Sequence, residues 1–174
     1  MVRKRYVSKT KSGKCVFCEI AKGNLKTPGI FWENKDYVAF LSLYPNTKGA
    51  TVLITKKHYP SDVLSLNMKT LTGLLSAAKR VSKILIKYFD DVGRVGVIAE
   101  GTGIDHAHLK LIPMHGTGHF KKGEWKQHLS NFNRYFEKYE GFLSSNDGPK
   151  ANPKELKKLA NKLKMLTRKD KKIK

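Results

Sequence analysis

Two histidines and a lysine recur at every second position in His106-Ala107-His108-Leu109-Lys110-Leu111, with apolar residues between them. On a strand, side chains two apart share a face, so His106, His108 and Lys110 are expected to project together while Ala107, Leu109 and Leu111 turn into packing. An imidazole titrates near neutral pH and serves as nucleophile, base or metal ligand, and a lysine beside it supplies a positive charge. A second cluster of chemistry-bearing residues is Cys15-Val16-Phe17-Cys18, which contains the only two cysteines of the chain. This Cys-x-x-Cys spacing suits a metal site or a redox pair better than a scaffold disulfide. A tetrahedral zinc site needs two further ligands, for which neutral imidazoles are candidates. The redox alternative is disfavoured by the apolar Val16-Phe17 pair and by a place ahead of the first strand rather than after a strand of a βαβ unit.

These residues need elements to hold them. Cys15 to Gly23 reads as a short helix stopped by glycine, with both thiols on one side. Ile30–Glu33 and Tyr37–Leu43 flank a tight Asn34-Lys35-Asp36 turn and predict a hairpin, and Ala50–Thr55 predicts a third strand that delivers Lys56-Lys57-His58. Leu71, Leu74, Leu75, Ala78, Val81 and Leu85 recur at helical spacing, which predicts the main helix over Asn67–Phe89. A fourth strand, Arg94–Ala99, runs through Glu100-Gly101-Thr102-Gly103 into the His-rich strand. The expected fold is therefore α+β, a mainly antiparallel five-stranded sheet with helices packed on it. A further helix is expected over residues 121–143, with Trp125, Leu129, Phe132, Phe136 and Tyr139 on a packed face. A Ser, Asn, Gly and Pro linker and a basic amphipathic helix carrying Leu156, Leu159, Leu163 and Leu166 fill residues 144–174.

The chain has 174 residues and a formal charge of +21, concentrated at its ends. Residues 1–14, expected to be a disordered basic tail, hold six Lys or Arg and no acid, and residues 149–174 hold eleven against two acids, which leaves only +6 for the body. Such ends attract polyanions such as nucleic acid in a salt-dependent way, or else simply solubilise the chain. No run of eighteen apolar residues and no signal-type apolar segment is present, so neither a membrane span nor secretion is expected, and the default compartment is cytoplasmic. One domain, residues 15–120, has room for a core.

The run His106 to Pro113 resembles the signature strand of the histidine triad superfamily of nucleotide hydrolases and transferases, His-φ-His-φ-His-φ-φ with φ apolar. Cys15 to Ile20 is similar to the start of the zinc-containing branch, Tyr37–Leu41 to the family's hairpin, and Val52–His58 to the strand that follows. About residues 15–116 are covered. The resemblance implies a structural Zn2+ on Cys15, Cys18, His58 and His106, and a nucleophile, His108, that attacks the α-phosphate of a nucleotide conjugate to give a covalent nucleotidyl-histidine. It places Phe17, Ile20, Phe40 and Leu43 around a base and Ser42 near the ribose, while the strand-end amides around Gly101, Thr102 and Gly103 are candidate donors to phosphate in a loop that lacks the family's Gln-Ser type residues. It also implies a homodimer formed through the main helix and a sheet edge. The sequence departs from the family pattern at Lys110, the third triad position, at Ser42 where an acid usually follows, at Ala50 and at Ala99. The expected function is thus a nucleotide hydrolase or nucleotidyl transferase in which Lys110 stabilises phosphate. The alternative is a zinc-stabilised module that binds nucleotides or nucleic acid without turnover.

Overall fold

The computed structural model describes residues 8–27, 29–128, 130, 135–143 and 152–153. The chain divides into two compact units, Met1–Lys126 and Gln127–Lys174. In the first unit the elements run α1 (Val16–Ala21), β1 (Ile30–Glu33), β2 (Tyr37–Leu41), β3 (Thr51–Thr55), a 3-10 turn (Val63–Ser65), α2 (Met68–Tyr88), β4 (Val95–Ile98), β5 (His108–Pro113) and a second 3-10 turn (Gly118–Lys122). The strands form one sheet in the order β1-β2-β3-β5-β4, and every neighbouring pair is antiparallel. This is the α+β architecture expected from the hydrophobic pattern.

The two faces of the sheet carry different cargo. Ala39, Leu53, Leu109 and Leu111 face one way and pack with Leu74, Ala77, Ala78, Val81 and Leu85 of α2. Asn67 caps α2 by accepting from the Thr70 N–H, which satisfies one of the donors a helix start leaves open. Leu75, expected in the apolar stripe, is instead exposed. On the other face Val38, Phe40 and Ile54 form a second core with Phe17 and Ile20 of α1 and with Ile104. Register fixes what lies beside them: Ile54 pairs with His108, and Val52 with Lys110. No helix among the described residues is long and apolar enough to cross a membrane.

The helix expected over 121–143 is corrected by the structure. The 3-10 turn ends at Gly123, which adopts φ 76°, and neither 124–128 nor 135–143 is helical. Trp125, 70% exposed, stacks on Phe120 at 5.5 Å and lies 4.9 Å from the Arg94 guanidinium. Phe136 and Tyr139, expected to be packed, are exposed, although Phe136 meets Phe142 edge to face. Residues 1–7, Leu129, Phe132 and the amphipathic segment carrying Leu156 to Leu166 lie outside the described residues.

Candidate metal centre and nucleophile strand

Four ligand atoms converge from three places in the chain. Cys15 is the N-cap of α1 and Cys18 stands one turn on, His58 follows β3, and His106 precedes β5. Their ligand atoms all lie within 4.8 Å of one another. Cys15 Sγ is 3.6 Å and Cys18 Sγ 3.5 Å from His106 Nδ1. Cys18 Sγ is 3.4 Å from His58 Nδ1, and the two Nδ1 atoms are 3.3 Å apart. A tetrahedral zinc with ordinary bond lengths separates sulfur from nitrogen by about 3.5 Å and nitrogen from nitrogen by about 3.3 Å. The residues therefore fit a closed Cys2His2 site in both donor type and spacing.

The surroundings of His106 prepare it for that task. Its Nε2–H donates to the Thr55 carbonyl at 2.7 Å, which leaves the Nδ1 lone pair directed at the other ligands. Burial is the largest influence on its pKa and lowers it, keeping the imidazole neutral. Burial, followed by the neighbouring Cys15 sulfur, pushes the Cys18 thiol up to about 11.

The strand that follows differs in one detail from the expected start at His106. Ladder pairing begins at His108, because the His106 N–H turns back to the Ile104 carbonyl and the Ala107 N–H donates to Tyr59. His108 is 5% exposed, and its Nδ1–H donates to the His106 carbonyl at 2.6 Å. That bond fixes the tautomer and leaves Nε2 with a free lone pair. Burial lowers the pKa of His108; the bond to His106 opposes this, and the Lys110 ammonium lowers it further. At neutral pH the ring is uncharged, the state a nucleophile requires. The Phe17 and His108 rings meet in a T-shaped contact with centroids 5.3 Å apart.

Lys110 forms an ion pair with Glu100, a functional-site residue whose place just after β4 gives no sign of this role in the sequence. The register Ile98↔Lys110 brings the end of β4 alongside Lys110, and only a known register would have exposed the pairing. Of the residues expected near a base, Phe17, Ile20 and Phe40 come together in one buried cluster, and Phe17 meets both His106 and His108. Leu43 is 66% exposed, and the Ser42 hydroxyl accepts the Tyr44 N–H, so both belong to the turn after β2. Gly101 and Gly103 adopt φ 67° and 87°, and a Cβ on Gly101 would stand 2.7 Å from the Ser61 carbonyl oxygen. The loop they form is held by the Asp105 carboxylate, which accepts the Ser61 N–H.

No family model matches the chain. An uncharacterized HIT-like protein of Mycoplasma genitalium is 32% identical over 117 residues, covering 64% of this chain and 81% of that protein. The chain belongs to the histidine triad (HIT) family. The HIT relatives include the adenosine 5′-monophosphoramidase of Schizosaccharomyces pombe, 29% identical over 100 residues, with 57% of this chain and 73% of that protein covered. Among solved structures, a zinc-bound HIT protein from Mycobacterium smegmatis shares the fold at a TM-score of 0.51 and 20% identity, covering 78% of this chain and 84% of that one. This HIT chain carries His106 and His108 followed by Lys110, which is ion-paired with Glu100.

Proposed function

We propose that the chain is a HIT hydrolase or nucleotidyl transferase acting at the α-phosphate of a nucleoside phosphate conjugate. The observation that carries this reading is the 2.6 Å bond from His108 Nδ1 to the His106 carbonyl, which presents an unprotonated Nε2 two residues from a lysine on the same strand face. His108 Nε2 attacks the α-phosphorus, and the bond to the leaving group breaks. That group departs with the electron pair and takes up a proton from solvent. Water then attacks phosphorus and gives up a proton to solvent, the P–N bond breaks with its electron pair returning to Nε2, and nucleoside monophosphate is released with the neutral imidazole restored. Lys110 stabilises charge on the non-bridging oxygens. A phosphoramidate is the first substrate to try, because a HIT relative carries that activity in its name.

The same reading places Zn2+ on Cys15, Cys18, His58 and His106, where four protein ligands leave no open position and the ion's contribution is structural. It includes the family's homodimer, a cytoplasmic location, and contacts from Phe17, Ile20, Phe40, Ser42, Leu43 and the Gly101-Thr102-Gly103 loop to nucleotide. A second reading, a zinc-held nucleotide- or nucleic-acid-binding module without turnover, is favoured by the burial of His108 under Phe17. Incubation with adenosine 5′-phosphoramidate distinguishes the two. Catalysis predicts release of AMP, a mass-shifted peptide containing His108 on acid-free quenching, and loss of turnover by roughly a hundredfold or more in His108→Ala. Turnover by His108→Ala at the parent rate refutes the nucleophile, and binding without any release supports the second reading.

A further inference from the structure

The Glu100–Lys110 pair is asymmetric: the glutamate side chain is 7% exposed and the lysine side chain 40%. The acid sits inside and the ammonium is anchored from beneath, open on its outer side. Lys110 stands two residues from His108 on the same strand face, opposite Val52 of β3 and Ile98 of β4. An anion at His108 Nε2 therefore arrives beside an ammonium that already has a carboxylate partner. The pair is not needed to set the strand register, since β4 and β5 are joined from Val95↔Pro113 through Ile98↔Lys110. A buried carboxylate without a cation is costly, so in the absence of substrate Lys110 has strong reason to stay in place.

Resting on the function proposed above, we propose that Glu100 is a positioning residue of the reaction, whose carboxylate occupies the Lys110 ammonium in the free protein as the substrate's phosphate does in the complex. Three consequences follow from this competition. Lys110 is held ready on the nucleophile's face without a bound anion. Anions that reach Lys110 alone bind weakly, because they meet a neutral pair, whereas a phosphoryl group in contact with His108 as well has a second source of affinity. Nucleoside monophosphate product, which must share the ammonium with Glu100, leaves more readily than it would from a lone lysine.

The test is the affinity for AMP, measured by calorimetry at low salt on the metal-loaded full chain, in the parent and in Glu100→Gln, Glu100→Asp and the double variant Glu100→Gln/Lys110→Met. The double variant leaves no unpaired buried charge and so guards against a simple folding failure. Glu100→Gln is expected to bind AMP about three- to tenfold more tightly than the parent, since removal of a nearby negative charge frees the ammonium. Glu100→Asp keeps the charge and should stay within about twofold of the parent. The double variant should bind no more tightly than the parent, because Glu100 acts through Lys110. A purely structural role would weaken binding in Glu100→Gln, never strengthen it. AMP binding that Glu100→Gln weakens or leaves unchanged, or that stays tightened in the double variant, overturns the role of Glu100 alone. Failure of all four proteins to bind AMP overturns the function proposed above and this role with it.

Discussion

Removal of the Zn2+ proposed for the Cys2His2 cluster should detach α1 and leave the rest of the fold standing. The helix has only six residues, VFCEIA, and its N-cap makes no side-chain hydrogen bond. Helices this short do not persist by themselves. Ordering six residues costs roughly 6–12 kcal/mol of backbone entropy. Burial of Phe17 and Ile20 returns roughly 3–6 kcal/mol, so apolar docking leaves a deficit of several kcal/mol. A tetrahedral zinc site contributes about 10–16 kcal/mol in small zinc-dependent folds, ample to close the gap through Cys15 and Cys18. The sheet and α2 have an independent core in Leu53, Leu74, Val81, Leu109 and Leu111. Hydrogen exchange on chelator-treated protein, with metal content checked, should therefore show residues 15–23 losing protection by two or more orders of magnitude while β3, β5 and α2 keep theirs. Cys18→Ser should behave like the stripped protein. If α1 remained as protected as β3 after complete metal removal, the entropy argument would be wrong and the aromatic contacts alone would suffice.

Gly73 lies on α2 where an added Cβ would come within 2.2 Å of the Tyr37 hydroxyl oxygen. Gly73→Ala should therefore destabilise by about 1–2 kcal/mol despite the better helix propensity of alanine, whereas in a Tyr37→Phe background the same change should be neutral or stabilising; denaturant melts of the four proteins check the cycle. His115 donates from Nε2 to the Lys48 carbonyl and from Nδ1 to Asp91, a pair of acceptors that requires both ring protons. The Lys48 carbonyl, then Asp91, raises its pKa, so this contribution is complete below the ordinary histidine value and is lost as pH rises through the folded one. The expected results are an imidazole that titrates above 6.5 by NMR and a fall in melting temperature across that range that His115→Gln abolishes. A His115 resonance titrating at or below the ordinary value would contradict the geometry.

The parts of the fold legible in the sequence were those that local pattern dictates. Alternation from His106 to Leu111 and the heptad-like spacing of Leu74, Ala78, Val81 and Leu85 locate β5 and α2 to within two residues, since each pattern can bury its apolar side in only one kind of element. The Cys-x-x-Cys pair indicated a metal or a redox pair, but its two imidazole partners lie 40 and 88 residues from Cys18, and only family resemblance linked them. The spacing of Trp125 with Phe136 and Tyr139 suits a helix, whereas in the structure its ring partners are nearby Phe120 and Arg94, which is distant in sequence. Glu100 was invisible for a related reason: an acid after a strand acquires meaning only once β4 is known to pair with β5.

His106 contributes its ring to the Cys2His2 cluster and its backbone carbonyl to the bond that orients His108. His106→Ala keeps that carbonyl, so a loss of activity in it would report the loss of the cluster or a backbone shift that follows from it. Cys15, Cys18 and His58 touch only the cluster, and a substitution there that spares activity would show that the backbone alone suffices to aim His108. A residue given no chemical step of its own thus links the Cys2His2 cluster to the residue proposed to perform one.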